Sequence, residues 1–231
     1  MTIDALVFDF DGLILDTELP EFVSLSAAFA AHGAELPVHE WQARVGTTDE
    51  RHWTLWLEEI LGHDIDREAA RLARLEHHHA LIAEQAIRPG VVALLDEAAA
   101  ASVPAAVASS SPLDWVGGHL ERRELLDRFA VVVTSDDVER TKPAPDLYQA
   151  ALAALGADAR RSVALEDSAH GCTAAVAAGL LCVVVPNTVT EGQDFAHADL
   201  VVASMTEIGL GRLVGELDRR SSPGASPRLP G

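Results

Sequence analysis

Six short runs of apolar residues punctuate the chain: ALVFDF (5–10), VPAAVAS (103–109), AVVVTS (130–135), SVALED (162–167), LCVVVP (181–186) and LVVAS (200–204). Runs this short and this continuous predict parallel strands buried on both faces. Between the later runs the apolar period lengthens to that of helices. PDLYQAALAALG (145–156) opens on Pro and Asp and stops at Gly156. SAHGCTAAVAAGL (168–180) is rich in small residues, which suits close packing on a sheet. The alternation of strand and helix predicts an α/β fold with a doubly wound parallel sheet.

The first two runs are separated far more widely than one crossover helix requires. The interval is helical in pattern: ELPEFVSLSAAFAAHG, HEWQARVG, DERHWTLWLEEILG and REAARLARLEHHHALIAEQ. It predicts an inserted helical domain over 17–87, after which a helix at 90–101 returns the chain to the sheet. The α/β core then comprises 1–16 and 88–220. The tail RRSSPGASPRLPG is polar and dense in Pro and Gly, so 221–231 is expected to be disordered.

Composition narrows the partners. Apolar residues make up 48 % of the 231, enough for a sizeable core, and the formal net charge is −19. Such a surface repels phosphate backbones and anionic lipid, so neither nucleic acid nor a membrane is expected as a partner. A phosphorylated ligand needs a local device to overcome that field. The two cysteines, Cys172 and Cys182, lack metal-ligand spacing and are expected to be buried and inert, in a reducing cytoplasm. MTIDALVFDFDG has no basic segment of the kind that opens a signal peptide, and no apolar run reaches membrane-spanning length.

The chemistry gathers where the strands end. FDFDG places Asp9 and Asp11 two apart, on one side of the chain, and Gly12 permits a tight turn. Two adjacent carboxylates attract a metal ion or share a proton; by itself the motif is also compatible with a turn carrying two solvated Asp. In ASSSP, Ser109 ends the second strand, while Ser111 and Pro112 read as the N-cap and first residue of a helix whose free N–H groups suit an anion. TKPAPD (141–146) holds Lys142, the one lysine among 17 basic residues. LEDS contributes Glu166 and Asp167, which singly would be ordinary helix caps. Together the four clusters fall at the carboxyl ends of parallel strands, where open α/β sheets bind ligands. Carboxylates without His or Cys suit a hard cation such as Mg²⁺. The hydroxyl, the amides and the ammonium suit a phosphoryl group.

In order and spacing, DFDGLILDTE (9–18), SSS (109–111), TKPAPD (141–146) and LEDS (165–168) resemble the haloacid dehalogenase superfamily, in particular its β-phosphoglucomutase-like phosphatases. The resemblance covers roughly 1–210 and makes the helical insertion that family's cap. It implies that Asp9 is the nucleophile and forms an aspartyl-phosphate. It implies that Asp11 protonates the leaving oxygen and then activates water. Asp9, the Asp11 carbonyl and Asp167 match Mg²⁺ ligands, and Glu166 matches a further ligand or an outer carboxylate. Ser109, Ser110 and Lys142 match the groups that hold the transferring phosphoryl.

Dehalogenases of this superfamily lack an Asp two residues after the nucleophile, so Asp11 favours phosphate esters. Mutases of the β-phosphoglucomutase type carry a cap His where Glu21 stands, and an Arg where Asp49 aligns, although Arg51 is near. Hydrolysis of a small phosphomonoester, such as a sugar phosphate, is therefore expected. A phosphosugar mutase and a catalytically silent binding module are the alternatives. For substrate contact the cap offers Glu21 and the loop RVGTTDER, with Arg44, Thr47, Thr48 and Arg51. His77, His78 and His79 lie about 100° apart around a helix and cannot share one ion, so a solvated or partly buried face is expected. Trp41, Trp53 and Trp56 are expected in the core of the cap or where it meets the sheet. A cap of this size can cover the site unaided, so a monomer is expected.

Overall fold

The computed structural model describes residues 2–42 and 52–221. Each of the six apolar runs contributes one strand: Ala5–Phe8 (β1), Ala105–Ala108 (β2), Val131–Val133 (β3), Ser162–Glu166 (β4), Leu181–Val184 (β5) and Leu200–Val201 (β6). All pair in parallel, in the order β3-β2-β1-β4-β5-β6. The fold is therefore the expected doubly wound α/β sheet. Each strand is shorter than its run, because the last residues of the run leave the ladder and carry the polar groups.

The strands read as continuous apolar runs because both faces are covered. Leu6, Phe8, Val107, Leu165 and Val183 face Val91–Ala100 (α5), Leu113–Arg122 (α6) and Leu210–Ser221 (α9). Val7, Ala106, Ala164 and Val184 face Asp146–Leu155 (α7) and Ala169–Ala177 (α8). Fully burying a Leu, Val or Phe side chain stabilises the fold by about 1.5–3 kcal/mol, so these two layers hold the sheet.

Among the described residues, four helices lie between β1 and α5: Glu18–Ala31 (α1), Val38–Gln42 (α2), Trp53–Leu61 (α3) and Arg67–Ala83 (α4). Leu25 and Phe29 of α1, Trp41 of α2 and Trp56 and Leu57 of α3 form a separate apolar cluster, with Trp53 partly buried against it. Val189, from the loop after β5, joins the same cluster. Trp41, Trp53 and Trp56 thus pack together in an apolar cluster of these inserted helices.

Two features fix the chain around the carboxyl end of the sheet. The guanidinium of Arg88 donates to the carbonyls of Gly12, Val185 and Pro186, which ties the returning chain to the turn after β1. Gly12 has φ +80°, and a Cβ there would lie 2.2 Å from Asp167 Oδ2. Only glycine fits that turn without displacing Asp167.

One expectation is corrected. Helix α6 begins at Leu113, and the residue before it is Pro112, in extended backbone with no side-chain cap bond. Asp136 accepts the Leu113 N–H instead, at 2.9 Å. Ser111 is not the cap; its hydroxyl is engaged elsewhere. Ser221, where the disordered tail was expected to begin, is the last residue of the helix Leu210–Ser221, and the rest of that tail, 222–231, lies outside the described residues.

Candidate active site

The strand order reverses between β1 and β4, and the polar clusters gather at that crevice. Asp9 directly follows β1, with its backbone N–H donated to Leu165 of β4 at 2.9 Å. Glu166 ends β4 and Asp167 follows it. The three carboxylates are buried, and each brings an oxygen within 4.8 Å of the other two.

Lys142 reaches this cluster from the loop after β3 and is itself 4 % exposed. Its ammonium donates to Asp9 Oδ1 and, at 2.7 Å, to Glu166 Oε1. An ammonium has three donors, so one remains for a ligand. Burial alone would lower the Lys142 pKa, but the Asp9 and Glu166 carboxylates outweigh it and the net shift is upward. Burial pushes Asp9 up to about 8, opposed by Lys142 and reinforced by the charges of Glu166 and Asp11. Burial, then Asp9 and Glu166, raise Asp167 well above the carboxylate range. One ammonium thus faces three buried carboxylates, and the positive charge is in deficit. An all-oxygen donor set of this kind fits a divalent cation.

Glu166 is held on all sides. Its Oε1 also accepts the hydroxyl of Tyr148, a fully buried residue of α7. Its Oε2 accepts the Asp167 N–H at 3.2 Å and the Ser168 hydroxyl at 3.4 Å. A Cβ on Gly171 would lie 2.0 Å from this carboxyl group, so α8 can approach only because that position has no side chain. Asp167 is fixed by Asn187, whose amide donates to its Oδ2 at 2.7 Å.

Asp11 lies apart from the buried trio and is half-exposed. Ser111 donates to its Oδ2 at 2.6 Å and Ser109 to the same oxygen at 3.3 Å. The indole N–H of Trp115, on α6, donates to its Oδ1 at 2.9 Å. Ser109 is fully buried and its oxygen accepts the Ser111 N–H at 3.0 Å. The buried hydroxyl oxygen of Ser110 has no hydrogen-bond partner among the described residues. The core candidates Asp9, Asp11, Ser109, Ser110, Lys142, Glu166 and Asp167 are thus brought to one end of the sheet.

The substrate-contact candidates from the helical insertion divide. Glu21, on α1, forms an ion pair with Arg74 of α4. Arg44, Thr47, Thr48 and Arg51 lie outside the described residues. Of the three histidines, His77 and His79 are exposed, while His78 is half-buried and stacks on Trp115 at 5.6 Å. Both cysteines are buried.

Sequence reasoning missed Tyr148, Trp115, Asn187, Gly171 and Glu18. Burial, followed by the charges of Asp11 and Glu21, pushes Glu18 up to about 8. Tyr148 follows TKPAPD at the start of α7, where its position on the apolar face disguised the role of its hydroxyl.

A parallel sheet with three buried carboxylates that could hold a metal ion, and a buried ammonium beside them at its switch point, fits phosphoryl-transfer chemistry. The family comparison makes this specific. Residues 6–185 match the model of the haloacid dehalogenase-like hydrolases, and the chain belongs to that family. It is an enzyme of the family's phosphatase type. YhcW of Bacillus subtilis (strain 168) is 40 % identical over 219 residues, covering 95 % of this chain and 100 % of YhcW. The validoxylamine A 7'-phosphate phosphatase of Streptomyces hygroscopicus subsp. limoneus is 27 % identical, covering 87 % and 94 % of the two chains. The crystal structure of CbbY from Rhodobacter sphaeroides in complex with phosphate superposes with a TM-score of 0.72 at 32 % identity, over 94 % of this chain and 100 % of that one. Another structure of CbbY, a mutant, holds xylulose-1,5-bisphosphate.

Proposed function

We propose that the chain is a Mg²⁺-dependent phosphatase that hydrolyses a small phosphomonoester, such as a sugar phosphate, through an aspartyl-phosphate on Asp9. The observation that carries this reading is the division of labour between two aspartates. Asp9 is buried, bonded to Lys142 and within the acidic cluster, whereas Asp11 stands outside that cluster among hydroxyl and indole donors.

In the first step Asp9 attacks phosphorus, the ester P–O bond breaks, and Asp11 gives its proton to the departing oxygen. In the second, Asp11 takes a proton from water, the water oxygen bonds to phosphorus, and the Asp9–phosphorus bond breaks to release inorganic phosphate. Lys142, Ser109 and the Ser110 N–H hold the phosphoryl oxygens while charge shifts. Asp9, Asp167 and the Asp11 carbonyl would hold Mg²⁺, with Glu166 behind them; the ion supplies charge neutralisation for the transferring group. Because four donors already occupy Glu166, its first task is to anchor Lys142.

The segment 17–87 acts as a cap that excludes bulk water, supported by its own apolar cluster. Phosphate and xylulose-1,5-bisphosphate in CbbY, and the phosphate ester that names the validoxylamine enzyme, support a small phosphorylated metabolite. Glu21, where mutases of the family carry His, favours hydrolysis over mutation. The complete acidic set opposes a catalytically silent module. Two buried free cysteines agree with a reducing cytoplasm, and we take the protein to act there as a monomer.

The test is phosphate release from a panel of phosphorylated metabolites with Mg²⁺, beside Asp9→Asn. Release from one compound class, absent in the variant, is expected. Release that persists in folded Asp9→Asn would rule out the covalent route.

A further inference from the structure

We infer that Trp115 is a positioning residue for proton transfer: its indole N–H pins Asp11 Oδ1 as an acceptor and leaves Oδ2 to carry the proton to the leaving oxygen. This rests on the phosphatase reading above, in which Asp11 is the proton donor, and deepens it.

Asp11 is gripped from two directions. Ser111 donates to its Oδ2 at 2.6 Å and Ser109 to the same oxygen at 3.3 Å, both from the segment after β2. Trp115 donates to Oδ1 at 2.9 Å, from the first turn of α6. The last torsion of an Asp side chain is soft, so bonds to one oxygen alone would let the carboxyl group turn. Bonds to both oxygens fix its plane.

The two kinds of donor are not equivalent. A hydroxyl can donate or accept, whereas an indole N–H only donates. A protonated carboxyl group has one O–H oxygen and one carbonyl oxygen, and the carbonyl oxygen is the better acceptor. Oδ1 faces a group that can only donate, so it is the carbonyl oxygen of the acid, and the proton belongs on Oδ2. Oδ2 lies on the side of Ser109, the hydroxyl that holds the phosphoryl group in the reading above. As Ser109 turns to the phosphoryl oxygens it frees a position on Oδ2 next to them. The leaving oxygen keeps the electron pair of the broken P–O bond and takes the Oδ2 proton. Asp11 is left as a carboxylate, held by Ser111 and Trp115 in place to accept a proton from water.

The indole is itself locked by packing, as a positioning group must be. The His78 ring lies on one side of it at 5.6 Å, with 9° between the planes. His119 meets it edge-on at 4.3 Å and stacks in turn on Phe10, the residue between the two aspartates. Arg123, just after α6, donates to the carbonyls of Ile82 and Gln85 at 3.2 and 3.0 Å, which holds the end of α4, the helix of His78, against α6. Any aromatic ring could fill this space, but only the N–H reaches Asp11.

Trp115→Phe keeps a ring between the two histidines and removes the N–H. The experiment compares two esters in the Mg²⁺-loaded enzyme. One is the phosphorylated metabolite turned over fastest in the panel above, whose alkoxide must be protonated as it leaves. The other is 4-nitrophenyl phosphate, whose phenolate leaves without a proton. The quantity read is kcat/KM, referred to free enzyme and substrate, because kcat also contains the second step, in which Asp11 acts as base on both esters. In Trp115→Phe it is expected to fall about tenfold on the metabolite and to stay within about twofold on the nitrophenyl ester, since only the first needs the acid. An equal fall on both, or no fall on either, in a variant folded by circular dichroism and melting temperature would overturn the assignment. The bond is also read without turnover. The indole N–H resonance that is missing from the spectrum of Trp115→Phe is expected to move to higher field in Asp11→Ala, where its acceptor is gone. A resonance that does not move would overturn the assignment whether or not either ester is hydrolysed. All of these outcomes leave the phosphatase reading intact. Absence of turnover on the whole panel and on 4-nitrophenyl phosphate would defeat that reading, and this one with it.

Discussion

Lys142 shows what one residue must do here. Its ammonium bridges Asp9 and Glu166 inside a buried pocket roofed by Tyr148, 5.2 Å from the ring centre. Arginine would bring a planar fork where a point charge fits, and its extra atoms would displace a carboxylate or the phosphoryl group. Lys142→Arg is expected to leave a folded protein with turnover reduced at least about a hundredfold, because loss of one preorganised charge contact at a reacting centre has that scale. Near-normal kcat with an intact circular dichroism spectrum would contradict it. Much of this was legible: a single lysine among sixteen arginines, placed after a strand, announces a site. Its partner Tyr148 was not, since an aromatic residue on a helix's apolar face looks like core until its hydroxyl is located. Ser111 misled in another way. A Ser before Pro matches a helix cap, but the first N–H of α6 is taken by Asp136, and the Ser111 hydroxyl donates to Asp11.

At the scale of elements, the approach of α8 to β4 depends on Gly171. The sequence marked this helix as rich in small residues and suited to close packing, yet it could not tell which position touches a functional carboxyl. Gly171→Ala places a Cβ 2.0 Å from the Glu166 carboxyl, and that group is tethered to Lys142 and Tyr148 and cannot swing away cheaply. The variant is expected to lose about 1–3 kcal/mol of stability, the range for overpacking, together with kcat as Lys142 follows Glu166. Urea unfolding and turnover measured together check both. Helix α6 poses a pH question. Its His119 packs between Phe10 and Trp115, where burial and then the charges of Arg123 and Arg122 lower its pKa from 6.5 to about 4, against the opposing pull of Asp11. The unfolded chain thus binds a proton near pH 6.5 that the folded chain refuses until about pH 4. Its contribution is present above pH 6.5 and is lost as pH falls toward 4. Relative to wild type, His119→Gln should therefore gain stability as pH drops through that window. A stability difference independent of pH would show that His119 titrates normally. Helix α9 was not anticipated, and of α6 only the start was: the strand runs are continuous and conspicuous, whereas LDWVGGHLER and LGRLVGELDRRS carry Gly and charges that blur the helical period.

At the scale of the whole molecule, the parallel sheet and the position of the site were legible for one reason. Buried parallel strands must be apolar throughout, so the first polar residues after each run mark the carboxyl edge where the chain is free to do chemistry. What stayed hidden was contact between distant segments, such as Trp115 with Asp11 or Arg74 with Glu21, because no local period encodes it. The acidic character of the chain has a global consequence as well. A protein of net charge −19 that buries Asp9, Glu166 and Asp167 around one ammonium concentrates part of its self-repulsion at the site. Mg²⁺ bound there should stabilise the folded chain by mass action, by about 2.7 kcal/mol at a free concentration a hundred times Kd. Urea titrations should show the gain, and EDTA should remove it. Asp167→Asn should weaken it by shifting the Mg²⁺ dependence to higher concentration. Sodium chloride at matched ionic strength separates site binding from screening of the overall charge. If salt alone stabilises the chain as much as Mg²⁺ does, the acidic cluster is not a metal site and the repulsion is relieved over the whole surface.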